Sequence, residues 1–146
     1  MFSQTAEYAL RAVVWLAAHP GEPQTNLEIA AAAQVPADYL SKVMQSLGRG
    51  ALVQAQRGKH GGFTLARPAD RISILEVVNA VDPIRRIRTC PLGLKSHGQR
   101  LCALHRRMDD AMAHVERALG STTIADLVEE PSPVRPLCEV VEVAHA

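Results

Sequence analysis

The sequence predicts a mainly α-helical chain that carries one small β-hairpin, and three observations support this fold class. Of the 146 residues, 47% are hydrophobic but only 3% are aromatic, so the core must be built from the aliphatic side chains that suit packed helices. Apolar residues recur at helical spacing in several separate segments. Two short extended runs flank a Gly-rich turn, which is the pattern of a hairpin. A chain of this length is expected to form one compact domain.

Apolar spacing and capping residues predict the first two helices. Apolar residues recur at helical spacing over residues 4–18, with Ser3 as the expected N-cap, and the sequence HPG at residues 19–21 ends the helix. Thr25 and Glu28 have the spacing of a capping box, in which each side chain accepts a hydrogen bond from the backbone N–H of the other residue. A short Ala-rich helix is therefore expected to begin there.

The third helix and the hairpin follow at once. Four apolar residues lie at helical spacing in the third helix: Leu40, Val43, Met44 and Leu47. The next segments read LVQAQ, RGKHGG and FTLAR, so two extended runs enclose a turn that contains glycines. A short helix, a tight break, a second helix and a hairpin occur in this order in a winged helix-turn-helix.

Three further helices are expected after the hairpin. Ser73 and Glu76 have the form of a second capping box, and it opens a helix that the sequence DP at residues 82–83 ends. Apolar residues then keep helical spacing for about five turns after Leu101, which predicts one long helix. Thr123 is the expected cap of a last short helix.

Charge and targeting signals restrict the class of protein. The formal net charge is only +1, but residues 68–120 carry nine basic and six acidic residues, whereas residues 121–146 carry one and five. No apolar run reaches the roughly 20 residues of a membrane span, and the early positive charge of a signal peptide is absent. Three cysteines, an odd number, fit a reducing cytoplasm. We find no nucleophile–base set, phosphate-binding loop or HExxH motif, so an enzyme is not expected.

Polar side chains on the third helix and at the hairpin tip predict a DNA-binding surface. The helix turns short or flexible polar groups toward solvent, and such groups suit base edges and phosphates. Glycines at the tip allow the backbone to come close to a groove wall. Taken singly, each feature fits a merely solvated surface, but their order and spacing favour DNA binding. The candidate residues are Ser41, Lys42 and Gln45 on the helix and Arg57, Lys59, His60 and Gly61 at the tip.

Four segments carry a family resemblance: TAEYALRAV, IAAAAQVPADYLSKVMQSLGRGALVQAQRGKHGGFTLAR, ISILEVVNAVD and CALHRRMDDAM. Over residues 3–129 the chain resembles the Rrf2 family of winged helix-turn-helix transcriptional regulators, which includes an iron–sulfur-cluster regulator and a nitric-oxide sensor. The resemblance implies a homodimeric transcription factor, a repressor or a dual regulator, that dimerises through the long helix after Leu101 and binds a partly palindromic operator. It also implies a recognition helix at 37–48 and a wing at 53–65, with Arg57 inserted into a narrow minor groove.

The resemblance divides the chain into four parts. They are a winged helix-turn-helix DNA-binding domain over residues 1–83, a cofactor-binding loop over 84–101, a dimerisation helix with a short terminal helix over 102–130, and a flexible acidic tail over 131–146.

The stretch CPLGLKSHGQRLCALH, from Cys90 to His105, concentrates two cysteines and two histidines in sixteen residues. Many members of the family that the chain resembles bind an iron–sulfur cluster through three evenly spaced cysteines, but the middle position here is Ser96. The resemblance then implies a redox-sensitive 2Fe-2S centre with four ligands: Cys90, Cys102, His105 and the partner subunit's Glu7. His97 is the other local candidate for the histidine ligand. An imidazole in place of a thiolate raises the reduction potential of such a centre.

Other interpretations of the cysteine stretch stay open. Zinc could be bound by four donors, although their spacing is not that of a zinc finger: Cys90, His97, Cys102 and His105. The two cysteines could form a reversible disulfide, since neighbouring cations favour the reactive thiolate, or they could simply pack. The protein would then be a regulator that lacks a cluster, or a small metalloprotein or electron carrier. Cys138, in the acidic tail, is not expected to be a ligand.

Overall fold

The computed structural model describes residues 2–97 and 100–137 and confirms the predicted fold class. Six helices are present in these ranges: α1 Gln4–Ala18, α2 Asn26–Ala33, α3 Ala37–Arg49, α4 Ile74–Val81, α5 Ala103–Gly120 and α6 Ile124–Glu129. The hairpin and two short 3-10 turns complete the order of elements: β1 Val53–Gln56, β2 Gly62–Leu65, Ala69–Arg71 and Lys95–His97. Cys138 and the rest of the predicted tail beyond residue 137 lie outside the described residues.

Side-chain caps at the predicted positions begin four of the helices in these ranges. The Ser3 Oγ accepts a hydrogen bond from the Ala6 N–H of α1 at 3.1 Å. Capping boxes open three others: Thr25 with Glu28 at α2, Ser73 with Glu76 at α4, and Thr123 with Asp126 at α6. Each box satisfies backbone N–H groups that a helix start leaves without a partner. The starts of these helices are thus set by residues that lie within three positions of one another.

α1 lies at the centre of the core because its small side chains let the other helices approach closely. Ala9, Ala12 and Val13 are fully buried. α1 packs against α2, α3, α4 and α6. The larger buried side chains come from these elements and from the segments beside the hairpin: Leu16, Ile29, Leu40, Met44, Leu47, Leu52, Ile72, Val77 and Ile124. The core is therefore built mainly from aliphatic side chains, as the composition of the sequence predicts.

α6 packs in this core although the sequence grouped it with the long helix before it. Ile124 is fully buried, and its N–H donates to the Ile72 carbonyl at 2.8 Å. The Ile74 N–H donates to the Thr122 carbonyl at 3.0 Å, so the segment before α6 pairs briefly with the segment before α4. The last short helix thus closes the same core that α1 organises.

α5 is the least buried of the long helices in the described part of the chain. It packs against α4, and none of its residues is buried. Leu104 and Met108 are 63% and 49% exposed. Neither α5 nor any other helix in the described ranges is long and apolar enough to cross a membrane. The apolar residues that predicted α5 therefore form a stripe that this chain leaves partly uncovered.

The hairpin is antiparallel, with Val53 opposite Leu65, and it is joined by a third short segment. In the loop between α1 and α2, Gln24 exchanges two backbone hydrogen bonds with Phe63, at 3.0 and 2.7 Å. Gly62 lies against this loop with φ +149°, and a Cβ there would be 2.6 Å from the carbonyl group of Gln24. The absence of a side chain at Gly62 therefore allows the hairpin to pack on the loop.

We expect Gly62→Ala to lower the free energy of unfolding by about 1–3 kcal/mol, because it adds strain at a positive φ and a collision with backbone atoms. Urea unfolding followed by circular dichroism measures this change. Gly48→Ala is the control, since its Cβ would have no neighbour outside its own helix closer than 4.0 Å. Replacing that helical glycine should raise stability by up to about 1 kcal/mol. A Gly62→Ala variant as stable as the wild type would contradict the close packing.

Candidate functional site

α3 has one buried apolar face and one exposed polar face. Its buried side chains are Leu40, Val43, Met44 and Leu47. The candidate DNA-contacting side chains Ser41, Lys42 and Gln45 are all exposed. The helix predicted over residues 37–48 ends one residue later, at Arg49. α3 therefore presents to solvent a polar face on a helix that fits the major groove of DNA.

Side chains from two helices fix the turn between α2 and α3. Gln34, in the left-handed region with φ 54°, reverses the chain there. Arg11 of α1 donates from Nη1 to the Ala33 carbonyl at 3.3 Å, and Asn26 of α2 donates from Nδ2 to the Ala37 carbonyl at 3.1 Å. A carbonyl at the end of α2 would otherwise have no partner within its helix. The angle between the two helices therefore depends on Arg11 and Asn26.

The polar face of α3 and the hairpin lie side by side. One groove is lined by residues from both: Asn26, Ser41, Met44, Gln45 and Gly48 on the helical side, and Val53, Ala55 and Phe63 on the hairpin side. Ser41 and Gln45 thus share a surface with the strands that lead to the predicted wing tip. Lys42 lies outside the groove, on the exposed surface of the same helix.

The tip of the hairpin exposes the candidate side chains Arg57, Lys59 and His60. Within the described part of the chain, none of these three side chains makes a hydrogen bond or an ion pair. A Cβ at Gly61 would overlap the carbonyl oxygen of Gln56. The geometry of the turn therefore requires glycine at this position, whether or not DNA is bound. The cations of the tip are exposed and available to a partner.

α1 carries a row of polar and aromatic side chains beside the start of α3. The rings of Tyr8 and Tyr39 pack edge to face, with centroids 5.4 Å apart, and the Thr5 hydroxyl is hydrogen-bonded to that of Tyr39. Arg11 lies over the Tyr8 ring at 5.4 Å. Its Nε donates to Oε1 of Glu7 at 3.1 Å, and the Glu7 side chain remains 56% exposed. Arg11 therefore links Glu7, through an ion pair, to the turn between α2 and α3.

The cysteine stretch places its donor atoms in different environments. Cys90 is buried, Cys102 is half-buried, and both are free thiols. Cys102 is the N-cap of α5, and its Sγ lies 3.5 Å from Nδ1 of His105, one turn into the helix. Ser96 is exposed, and His97 buries its Nδ1 with no hydrogen-bond partner among the described residues. Cys102 and His105 are thus in contact with each other at the start of α5.

The chemistry of these donor atoms suits a metal centre, but within the described residues of one chain they do not lie close enough together to form one. Across residues 2–97 and 100–137, no three His, Cys, Asp or Glu side chains are placed to hold a metal ion. The four donors of the zinc interpretation therefore do not converge within one chain. Thiols and imidazoles suit zinc or an iron–sulfur cluster, and the Nδ1 of His97, which has no hydrogen-bond partner among the described residues, is a further possible donor. A complete centre here would need a donor from a second subunit or a shift of the loop.

An ion-pair network ties the start of the cysteine loop to α5. Arg86 donates to both carboxylate oxygens of Asp109 at 2.8 Å and to Glu116 at 2.9 Å. The Ile87 N–H also donates to Asp109, at 2.8 Å. The hydrogen bonds from Arg86 lower the pKa of Asp109 from 3.8 to about 2, and Asp109 and then Glu116 raise the pKa of Arg86 above its ordinary value. The loop is therefore fastened to the helix that Cys102 begins.

Sequence reasoning missed the residues that position these groups. Arg86 counted only as one of several cations near the cysteines, and its partner Asp109 is 23 residues away. Arg11 did give a signal, since it is a charge inside an apolar helix, four residues after an acidic one. Gln24 gave none, because its contact with the hairpin is made by backbone atoms that every residue has.

Comparison with known proteins confirms the family resemblance. The family model Rrf2, described as an iron-dependent transcriptional regulator, matches residues 2–130. The structure of CymR (YrzC), the global cysteine regulator of B. subtilis, is similar with a TM-score of 0.74 at 23% identity, over 90% of this chain and 98% of that one. The structure of T. potens IscR is similar with a TM-score of 0.72 at 24% identity, over 87% of this chain and 85% of that one. The structure of the oxidized form of Staphylococcus aureus CymR is similar with a TM-score of 0.67 at 26% identity, over 90% of this chain and 98% of that one.

The Arg86–Asp109 pair predicts how the attachment of the loop responds to acid. Because the pKa of Asp109 is lower in the folded chain, the pair contributes stability above about pH 4 and loses it as the pH falls toward about 2. We expect Asp109→Asn to lower the melting temperature at neutral pH and to flatten its decline over that acidic range. The exposed neighbour Asp110→Asn should change neither. Scanning fluorimetry across pH measures both variants, and identical behaviour would show that the pair does not hold the loop.

Proposed function

We propose that this chain, which belongs to the Rrf2 family of transcriptional regulators, binds an operator as a homodimer. A metal centre at its cysteine loop then controls the affinity for that operator. Members of this family are DNA-binding regulators and not enzymes. The observation that carries the proposal is the groove in which the polar face of α3 meets the hairpin. A recognition helix and a wing on one surface can contact a major groove and the minor groove beside it.

In this proposal α3 enters the major groove, and each candidate residue has a stated role. Ser41 and Gln45, in the groove shared with the hairpin, face base edges, while Lys42 contacts a phosphate. Arg57 enters the minor groove, where narrow tracts have the strongest negative potential. The remaining tip residues contact the DNA backbone: Lys59, His60 and Gly61.

Exposed apolar side chains support dimerisation through α5. Leu104 and Met108 are uncovered on this helix. A largely apolar groove is formed by the N-terminal segment, the end of α4 and α5, with these apolar members: Phe2, Val78, Pro83, Ile84, Ala111, Met112 and Val115. Burial of such surface against a second copy stabilises a dimer through the hydrophobic effect. The two-fold symmetry of the dimer then matches a partly palindromic operator.

The proposed centre joins the cysteine loop of one subunit to α1 of the other. Its ligands are those that the family resemblance implies: Cys90, Cys102, His105 and the partner subunit's Glu7. A 2Fe-2S cluster bound there would supply redox sensitivity, at a potential raised by the imidazole ligand. Cys102 and His105 are in contact at the start of α5, where the free N–H groups of a helix stabilise negative charge. Zinc bound to the same loop is the metal alternative.

Glu7 and Arg11 connect this centre to the helix that reads DNA. Within one chain, Glu7 accepts a hydrogen bond from Arg11, and Arg11 donates to the Ala33 carbonyl at the turn before α3. If Glu7 turns toward the other subunit, Arg11 loses its carboxylate and the turn is less firmly held. Operator affinity changes only to the extent that the centre binds the two arrangements with unequal free energy.

A cluster-free thiol sensor is the second candidate function. The described residues of one chain contain two free thiols, Cys90 and Cys102, but no group of three metal-binding side chains. The two thiols could form a disulfide when an oxidant such as a peroxide or another disulfide accepts two electrons and two protons from them. Staphylococcus aureus CymR, to which this chain is similar, has been crystallised in an oxidized form.

We expect Arg57→Ala to weaken binding to an operator selected from random duplexes by about 1–3 kcal/mol. The slope of log affinity against log salt should also fall by about one, since one fewer cation displaces counterions. Fluorescence anisotropy at several salt concentrations measures both quantities. Arg135→Ala removes an exposed cation from the segment after α6 and is the matched control. An Arg57→Ala variant with wild-type affinity at moderate salt would exclude the hairpin tip from DNA binding.

We expect protein purified without oxygen to contain iron and sulfide and to show visible charge-transfer bands. The bands should disappear in Cys90→Ala and in Cys102→Ala, because each substitution removes a thiolate ligand. Cys138→Ala is the matched control and should keep them. A colourless protein with stoichiometric zinc would support the zinc alternative. A metal-free protein whose operator affinity responds to peroxide only when Cys90 and Cys102 are present would support the thiol sensor.

A further inference from the structure

We infer that Trp15 and Gln24 are positioning residues that hold the wing, the hairpin formed by β1 and β2, where its tip meets DNA. The inference rests on the proposed role of Arg57 at that tip, and its test separates the two. Neither positioning residue lines the groove between α3 and the hairpin. Neither is among the proposed ligands of the metal centre.

The wing is too short to hold its own position. β1 and β2 have four residues each, and an isolated two-stranded hairpin is at best marginally stable in water. Phe63 and Leu65 anchor the base of β2 against the core. The tip, residues 57–60, extends beyond these anchors and is exposed. A further contact is therefore needed to fix where the tip lies.

Gln24 supplies that contact through its backbone. Its N–H donates to the Phe63 carbonyl at 3.0 Å, and its carbonyl accepts from the Phe63 N–H at 2.7 Å. Gly62, the residue before Phe63, packs so closely on Gln24 that a Cβ has no room. The same loop reaches the tip, since residues 21–25 and 59–61 line one cleft. The position of the wing thus depends on where the loop between α1 and α2 holds Gln24.

Trp15 holds Gln24 in that loop. Its Nε1–H donates to the side-chain Oε1 of Gln24 at 3.2 Å. The indole ring is itself fixed, because it packs against the core and against the tilted ring of His19, with ring centroids 4.0 Å apart. The Nδ1–H of His19 donates to the Trp15 carbonyl at 2.8 Å, which ties the start of the loop back onto α1. The only tryptophan of the chain therefore connects the central helix to the wing through Gln24.

The expected effect of breaking this connection is confined to the wing. Without the Trp15–Gln24 hydrogen bond, the loop is free to shift and the tip occupies a wider range of positions. Arg57 must then be ordered when DNA binds, which costs conformational entropy. The exposed face of α3 is held by other contacts, from Arg11 and Asn26, and does not change. The loss of affinity should therefore be largest when Arg57 is present.

A double-mutant cycle tests this dependence. Trp15→Phe removes the N–H donor and keeps an aromatic ring, and Gln24→Met removes the acceptor and keeps the length of the side chain. Each is expected to weaken operator binding about threefold to tenfold, which corresponds to the net worth of one hydrogen bond. In an Arg57→Ala background, each should weaken binding clearly less, because only the backbone contacts of the other tip residues then depend on where the wing lies. Anisotropy at one fixed salt concentration gives the four affinities that each cycle requires.

Gln4→Met is the matched control, because Gln4 is exposed on α1 and makes no side-chain hydrogen bond within the described residues. It should bind the operator as the wild type does. Equal losses with and without Arg57 would indicate general destabilisation and overturn the inference alone. Wild-type affinity in both Trp15→Phe and Gln24→Met would do the same. Wild-type affinity in Arg57→Ala would overturn the proposed role of the wing and the inference with it.

Discussion

Burial of the small apolar face of α1 is the interaction on which the rest of the structure depends. Ala9, Ala12 and Val13 are fully buried there, and α2, α3, α4 and α6 all pack against this one helix. Side chains this short let neighbouring helices approach closely, and close packing leaves little freedom in how they are placed. α3, the last short helix and the base of the hairpin are therefore positioned relative to α1.

A second face of α1 connects this central helix to the surfaces proposed to bind DNA. Glu7, Arg11 and Trp15 follow one another at intervals of four residues, so they lie along one side of the helix, and His19 is its C-cap. Arg11 reaches the turn before α3, and Trp15 reaches the hairpin through Gln24. In the proposed dimer the same row begins with the metal ligand Glu7. A rotation or shift of α1 would thus act on α3 and the hairpin together, because packed elements move as units.

The sequence predicted only those parts of the candidate site whose residues lie within a few positions of one another along the chain. The polar face of α3 followed from helical spacing, because the buried residues of a helix assign the opposite face to solvent. Cys102 and His105 meet because they are three residues apart at the start of one helix. Cys90 belongs to the same stretch of sequence but is buried elsewhere in the loop, and Ser96 is exposed. The clustering of donors in the sequence therefore indicated their chemistry but not which of them touch.

The sequence by itself determined the helices, the caps of four of them, the hairpin, and the exposed polar face of α3. Each of these depends on residues a few positions apart, through backbone groups and side chains that are neighbours in any conformation of that segment. Only the tertiary structure decided the contacts of Arg86 with Asp109, Arg11 with the Ala33 carbonyl, and the Gln24 backbone with Phe63, whose partners are 22 or more positions apart. Such contacts form only where the core has brought two segments together, because closing the intervening chain costs entropy that the contact alone does not recover.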